Sequence, residues 1–184
     1  MRTRNQKSVK LYDKEFVSFI NGITLAKAIR ETGLKMQADL EGEDVVALCV
    51  LNGSFMFAGE LFRHFELPCK ISFIKLSSYE GTGSTGCVQE IIGLKENITG
   101  KTVVVVEDIV DTGETITKLV EDLKKHNPKQ IRIATMLLKP DAYKKDIPID
   151  YVALSIPDKF VVGFGLDYNG LGRNLKDLYQ ILTD

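Results

Sequence analysis

The sequence predicts an α/β protein built on a mostly parallel, twisted sheet flanked by helices. Three observations carry that expectation. VVALCVL at 45–51, TVVVV at 102–106 and IRIATMLL at 131–138 are apolar without alternation, as in strands covered on both faces. Amphipathic stretches with the length of crossover helices lie between them. The polar punctuation, Asn52-Gly53-Ser54, the run from Glu107 to Thr115, and Lys139, falls directly after those apolar runs. Ligands of open α/β sheets bind outside the carboxyl ends of the strands, so one edge gathers all three groups.

Taken in order, residues 13–40 carry helix-compatible spacing at Phe16, Ile20 and Ile23, then Ala26 and Ile29, with Gly22 and Gly33 as interruptions. Val45 to Leu51 reads as a buried strand. Ala58, Leu61, Phe62 and Phe65 follow the i, i+3, i+4, i+7 rule of an amphipathic helix. After Pro68, residues 70–76 read as a strand, SSYEGTGSTG as a loop, and 88–92 as a second strand. Thr102 to Val106 is the most strand-like run. Ile116, Leu119, Val120 and Leu123 form a helical stripe closed by Asn127-Pro128. Residues 131–138 and 151–156 are further strands, and 160–164 another short one. No repeat or linker interrupts the chain, so a single domain over residues 1–184 is expected.

Composition excludes several function classes. The formal charge is −1, which gives no electrostatic footprint for nucleic acid or an anionic membrane. No apolar run reaches spanning length, and MRTRNQKSVK lacks the apolar core of a signal peptide. Cys49, Cys69 and Cys87 are odd in number and widely spaced, which suits free thiols in a reducing compartment and a cytoplasmic location.

The chemistry concentrates at TVVVVEDIVDTGET. Glu107, Asp108 and Asp111 lie within five positions with no lysine or arginine in the stretch. Asp111-Thr112-Gly113-Glu114-Thr115 then joins strand to helix. Gly113 permits a tight turn, and amides at the start of a helix attract anions. Solvated acids beside a capped helix would explain each residue singly. A sugar phosphate explains them jointly, with phosphate on the loop, hydroxyls on the carboxylates and Mg²⁺ offsetting the remaining charge.

Other matches carry less. Gly81-Thr-Gly83-Ser-Thr-Gly86 fits a dinucleotide fingerprint, but the residues after it are β-like where a helix is required. A mobile loop between strands is the better reading, with Ser78 and Tyr79 at its rigid end. The Asp111-Thr-Gly triplet lacks the all-β setting of an aspartic protease. His64 and His126 lack metal-ligand spacing. Lys139 offers donors and no acceptor at the active edge. Glycines beside Asp167 and Arg173 favour close approach of backbone to a ligand.

VVVVEDIVDTGET resembles the phosphoribosyl-pyrophosphate (PRPP) motif of type I phosphoribosyltransferases. With IPDKFVVGFGLDYNGLGR it resembles the hypoxanthine-guanine phosphoribosyltransferases in particular, and ALCVLNGSFMF, IKLSSYEGTGSTG and LLKP extend the likeness over most of the chain from Val45. The resemblance implies the type I phosphoribosyltransferase fold with a small hood and a flexible lid loop. It implies transfer of the phosphoribosyl group from PRPP to a 6-oxopurine with Mg²⁺. Glu107 and Asp108 would hold the ribose hydroxyls, residues 111–115 the 5′-phosphate, and Asp111 would act as general acid/base. Lys139 would donate to the purine 6-oxo group, Phe160 would stack on the ring, and Val161 would touch the base through its backbone. Asp167 would lie by the purine and bind Mg²⁺ alongside Glu107 and Asp108. Leu51, Asn52, Gly53, Ser78, Tyr79 and Arg173 would meet pyrophosphate, with the Leu51–Asn52 bond cis. Position 52 is commonly basic in such enzymes and is Asn here, which removes a charge from the pyrophosphate site. The family further implies a homodimer or homotetramer. The alternatives are a phosphoribosyltransferase for another base, or a nucleotide-sensing regulator on the same fold.

Overall fold

A computed structural model describes residues 7–78 and 88–182. The lid loop expected over Ser77 to Gly86 begins later than that, because Ser77 and Ser78 belong to a strand; its remainder, with the glycine fingerprint and Tyr79, lies outside the described residues, as does Cys87. The chain forms β1 (Ser8–Leu11), β2 (Lys14–Ile20), α1 (Gly22–Asp39), β3 (Val45–Leu51) and α2 (Phe55–Leu61). It continues through β4 (Cys69–Ser78), β5 (Val88–Ile92), β6 (Thr102–Val110), α3 (Glu114–Lys124), β7 (Gln130–Leu138), β8 (Tyr151–Ser155), β9 (Val161–Val162) and β10 (Leu178–Ile181).

Six strands make the main sheet, in the order β5-β4-β3-β6-β7-β8. β4, β3, β6, β7 and β8 are parallel, and β5 pairs antiparallel with β4. The unbroken apolar runs are explained by cover on both faces. Cys49, Val104 and Val106 join α1 and α2 residues in one core, while Val46, Val103 and Val105 meet the Ile116, Leu119, Val120 and Leu123 stripe of α3 in another. After β3 the chain crosses to β4, and after β6 it crosses the opposite way to β7. The strand order therefore reverses between β3 and β6, which opens a crevice at their carboxyl ends.

β1, β2, β10 and β9 form a separate antiparallel sheet around Leu11, Phe16, Val162 and Tyr179, and this is the small hood. It corrects the expectation of helix over residues 13–40. Phe16 and Ile20 lie in β2, which hydrogen-bonds to a strand on either side, and that pairing overrides a spacing that suited a helix. Gly22 opens α1 instead of breaking a helix, because Asn21 caps it by accepting from the Thr24 N–H at 2.9 Å. Gly33 lies buried inside α1. α2 is shorter than expected. It ends at Leu61 and tightens into a 3-10 turn over Phe62–His64, so Phe65 reaches the core from outside the helix. Cys49 and Cys69 are free thiols, and burial pushes Cys49 up to about 12. Among the described residues no helix is long and apolar enough to cross a membrane.

Candidate active site

β6 is longer than its valine run. It continues to Val110, so Glu107 and Asp108 stand inside the strand and not beyond it. Glu107 pairs in register with Thr135 of β7 and is buried. Burial, followed by the neighbouring Asp108 charge, holds its carboxyl well above the usual range. Asp108 is pushed up to about 6, chiefly by burial, with Asp167 adding to the rise while the Ile109 N–H and Arg173 oppose it. Its Oδ1 accepts from the Ile109 N–H at 2.8 Å. Its Oδ2 rests against Gly53 so closely that a Cβ there would lie 1.4 Å away. The carboxylate thus occupies the place of a side chain at residue 53.

The loop after β6 leaves the start of α3 open. The N-cap residue is Gly113 at φ +84°, in the left-handed region that glycine enters freely, and no side chain caps the helix. The alternative of solvated acids beside a side-chain-capped helix is thereby removed. Residues 109–116 and Glu107 line a small cavity of about 90 Å³ over those amides. Glu114, among its lining residues, accepts a hydrogen bond from Lys145 at 2.5 Å, which lowers its pKa.

Lys139 follows β7, where its N–H donates to the Val110 carbonyl at 3.0 Å. Its side chain is not a solvated strand end but only 8% exposed, with Nζ donating to Asp111 Oδ2 at 2.5 Å and Asp158 Oδ1 at 3.0 Å. Burial disfavours the ammonium, yet the two carboxylates prevail and its pKa is raised. Phe160 is 47% exposed. Its ring centroid lies 6.2 Å from Phe16 and 6.0 Å from an edge-on Tyr168, so the hood buttresses it. Val161 is buried in β9.

A cleft of about 390 Å³ fills the crevice between β3 and β6. It brings together Leu51, Asn52 and Gly53 after β3, Glu107 and Asp108 of β6, Thr115 of α3, and Asp167 and Arg173 of the loop after β9. The Leu51–Asn52 bond is cis. Arg173 reaches Asp167 at 2.6 Å and donates to the Gly165 carbonyl at 2.7 Å. Gly165 sits at φ +102°, where a Cβ would lie 2.0 Å from the Gly53 carbonyl, so this contact seats the hood loop on the main sheet. Ser78 closes β4. Among the described residues no three or more His, Cys, Asp or Glu side chains form a ready ion cage. The donor set is carboxylate oxygen, which fits Mg²⁺ bound through one or two carboxylates plus ligand phosphate oxygens.

Four contributors were not foreseen. Lys118 lines the same cleft, three residues beyond Thr115 on one helix face, a spacing visible in the sequence. Asp158 holds Lys139, and Phe16 and Tyr168 support Phe160. No local pattern marks those three.

Comparison with known proteins gives the family. The phosphoribosyl transferase domain family matches residues 18–169. The chain is 42% identical to the hypoxanthine-guanine phosphoribosyltransferase of Staphylococcus aureus over 147 residues, 79% of this chain and 82% of that protein. It is 42% identical to the hypoxanthine phosphoribosyltransferase of Salmonella typhimurium over 135 residues, 73% and 76% of the two chains. A crystal structure of a hypoxanthine-guanine phosphoribosyltransferase from Bacillus anthracis superposes with a TM-score of 0.84 at 40% identity, covering 90% of this chain and 98% of that one. Sequence, fold and crevice agree: the chain belongs to the phosphoribosyltransferases, and among them to the hypoxanthine-guanine phosphoribosyltransferase family.

Proposed function

We propose that the protein transfers the 5-phosphoribosyl group of PRPP to hypoxanthine, guanine or both, releasing pyrophosphate and forming IMP or GMP in cytoplasmic purine salvage. The observation that carries this reading is the passage from β6 into α3, where the buried Glu107 and the half-buried Asp108 lead into uncapped helix amides beside a buried lysine. The loop amides of residues 111–115 receive the 5′-phosphate, and Glu107 and Asp108 accept hydrogen bonds from the ribose hydroxyls. Pyrophosphate lies against Leu51, Asn52, Gly53 and Arg173, and Ser78 and Tyr79 are assigned to it on their place in the sequence alone. Lys139 donates to the 6-oxo group, Phe160 stacks on the ring and the Val161 backbone meets the base.

In the reaction a purine nitrogen forms a bond to C1′ while the C1′–O bond to pyrophosphate breaks and its electron pair leaves with pyrophosphate. Asp111 accepts the proton that the purine gives up. Cationic charge on the ribose is stabilised by Glu107, Asp108 and the leaving group. Glu107, Asp108 and Asp167 would hold Mg²⁺, which would supply positive charge to offset the leaving pyrophosphate. The working unit is one domain and a homodimer or homotetramer. Ile71 and Phe73 on one face of β4 and Phe55 of α2, each 41–45% exposed, suit burial against a second copy. The test is nucleotide formation from PRPP with hypoxanthine, guanine, xanthine and adenine, with and without excess EDTA. Product from the oxopurines that EDTA abolishes is expected. No product from any base would overturn the reading, and equal activity in EDTA would remove the metal.

A further inference from the structure

We propose that Asp158 is a positioning residue for Lys139, fixing the direction in which the ammonium donates and so the preference for a purine with a 6-oxo group. The inference rests on the reading above, that Lys139 meets the base. An ammonium has three N–H donors and no acceptor. One is committed to Asp111 Oδ2 at 2.5 Å and one to Asp158 Oδ1 at 3.0 Å. With the side chain only 8% exposed, little water competes for the third. Two fixed acceptors on a tetrahedral nitrogen leave one direction for the remaining hydrogen. Asp111 alone would leave two N–H donors uncommitted and hold the end of the side chain from one side only.

The segment that carries Asp158 is itself tied down. The Ile156 N–H donates to the Leu138 carbonyl at 2.8 Å, directly before Lys139, and the Ile181 N–H donates to the Phe160 carbonyl at 2.9 Å. The carboxylate that aims the lysine and the ring that stacks on the base therefore share one anchored stretch, Pro157 to Phe160. Asp158 has a second effect. When Asp111 takes the purine proton and loses its charge, Asp158 remains as counter-ion to a lysine that burial would otherwise disfavour in its charged form. A plain surface ion pair, by contrast, would contribute little stability and nothing to base choice. The 65% exposure of the Asp158 side chain means that substitution there leaves no cavity.

The experiment compares Asp158→Ala, Asp158→Asn and Asp158→Glu with wild type in steady-state kinetics on hypoxanthine, adenine and PRPP. In Asp158→Ala the KM for hypoxanthine is expected to rise about tenfold, the loss of one charge-assisted hydrogen bond. The kcat at saturating base and the KM for PRPP should change less than about threefold. The ratio of kcat/KM for hypoxanthine over adenine should fall about tenfold. Asp158→Asn should be intermediate, and Asp158→Glu should recover most of the ratio. An unchanged ratio in Asp158→Ala, or equal rises in KM for hypoxanthine and PRPP, overturns the positioning role and leaves the functional reading intact. A wild-type enzyme that makes no nucleotide from any purine overturns both.

Discussion

Replacing Asp108 with Asn should make the free protein more stable while disabling it. The side chain is held inside β6 against Gly53, and its pKa stands at about 6 against an ordinary 3.8. The acid is thus roughly 100-fold weaker in the folded chain, which at about 1.4 kcal/mol per factor of ten is about 3 kcal/mol. Below pH 3.8 the group is protonated whether folded or unfolded, and it costs nothing. Between 3.8 and about 6 the folded state binds the extra proton, so stability falls as pH rises, and above 6 the full penalty applies. Asn carries no charge, and its amide oxygen can keep the hydrogen bond from the Ile109 N–H. Asp108→Asn should therefore gain about 2–3 kcal/mol at pH 8 and almost nothing near pH 3.5. For a chain of this size that is a rise of roughly 5–10 °C in Tm at pH 8. Chemical denaturation of both proteins at the two pH values measures it, and phosphoribosyl transfer should drop in parallel. Equal stability at pH 8, or a gain that persists undiminished at pH 3.5, would refute the reasoning that burial of this charge is what strains the site.

Three further outcomes are expected. Asp111→Asn should slow the chemical step by about 10²- to 10⁴-fold while PRPP binding survives on the loop amides, and single-turnover kinetics equal to wild type would remove it from the reaction. Lys139→Gln, which has both a donor and an acceptor, should weaken use of hypoxanthine and narrow its advantage over adenine; an unchanged kcat/KM ratio would count against a contact to the 6-oxo group. Gly165→Ala must displace the Gly53 carbonyl or leave its φ of +102°, so it should lose about 1–3 kcal/mol and raise the KM for PRPP. Wild-type denaturation and PRPP kinetics in that variant would show that the two loops do not bear on each other.

The parallel sheet was legible because strands covered on both faces must be apolar throughout, and VVALCVL, TVVVV and IRIATMLL are. The hood was foreseen only through the family likeness. Lys14–Ile20 carries Phe16 and Ile20 at a helical interval, and only pairing with β1 and β10, the latter more than 150 residues away, makes it a strand. The extension of β6 through Glu107 and Asp108 was also hidden, since two adjacent carboxylates look like the end of a strand. The strand-to-helix turn at residues 111–115 and Lys139 stood out because glycine, threonine and lysine at strand ends have few other uses together, and the fold brings them to one edge. Asp158 could not be read. A single aspartate after a proline reads as a turn, and its bearing on Lys139 exists only once β7 and β8 are side by side.

The packing of Asp108 Oδ2 into the space where residue 53 would carry its Cβ has a consequence for how this sequence can diverge. Positions 53 and 108 share one volume, so neither evolves alone. Any side chain at 53 demands a truncated residue at 108, and truncation at 108 removes the carboxylate proposed to hold ribose. Reaching a non-glycine residue at 53 by single steps thus passes through either a crowded chain or an inactive one. In a saturation library scored for growth on salvaged purine, the two positions should behave as one invariant unit. In a library scored for folding alone, they should part company, with small residues at 108 rescuing alanine at 53.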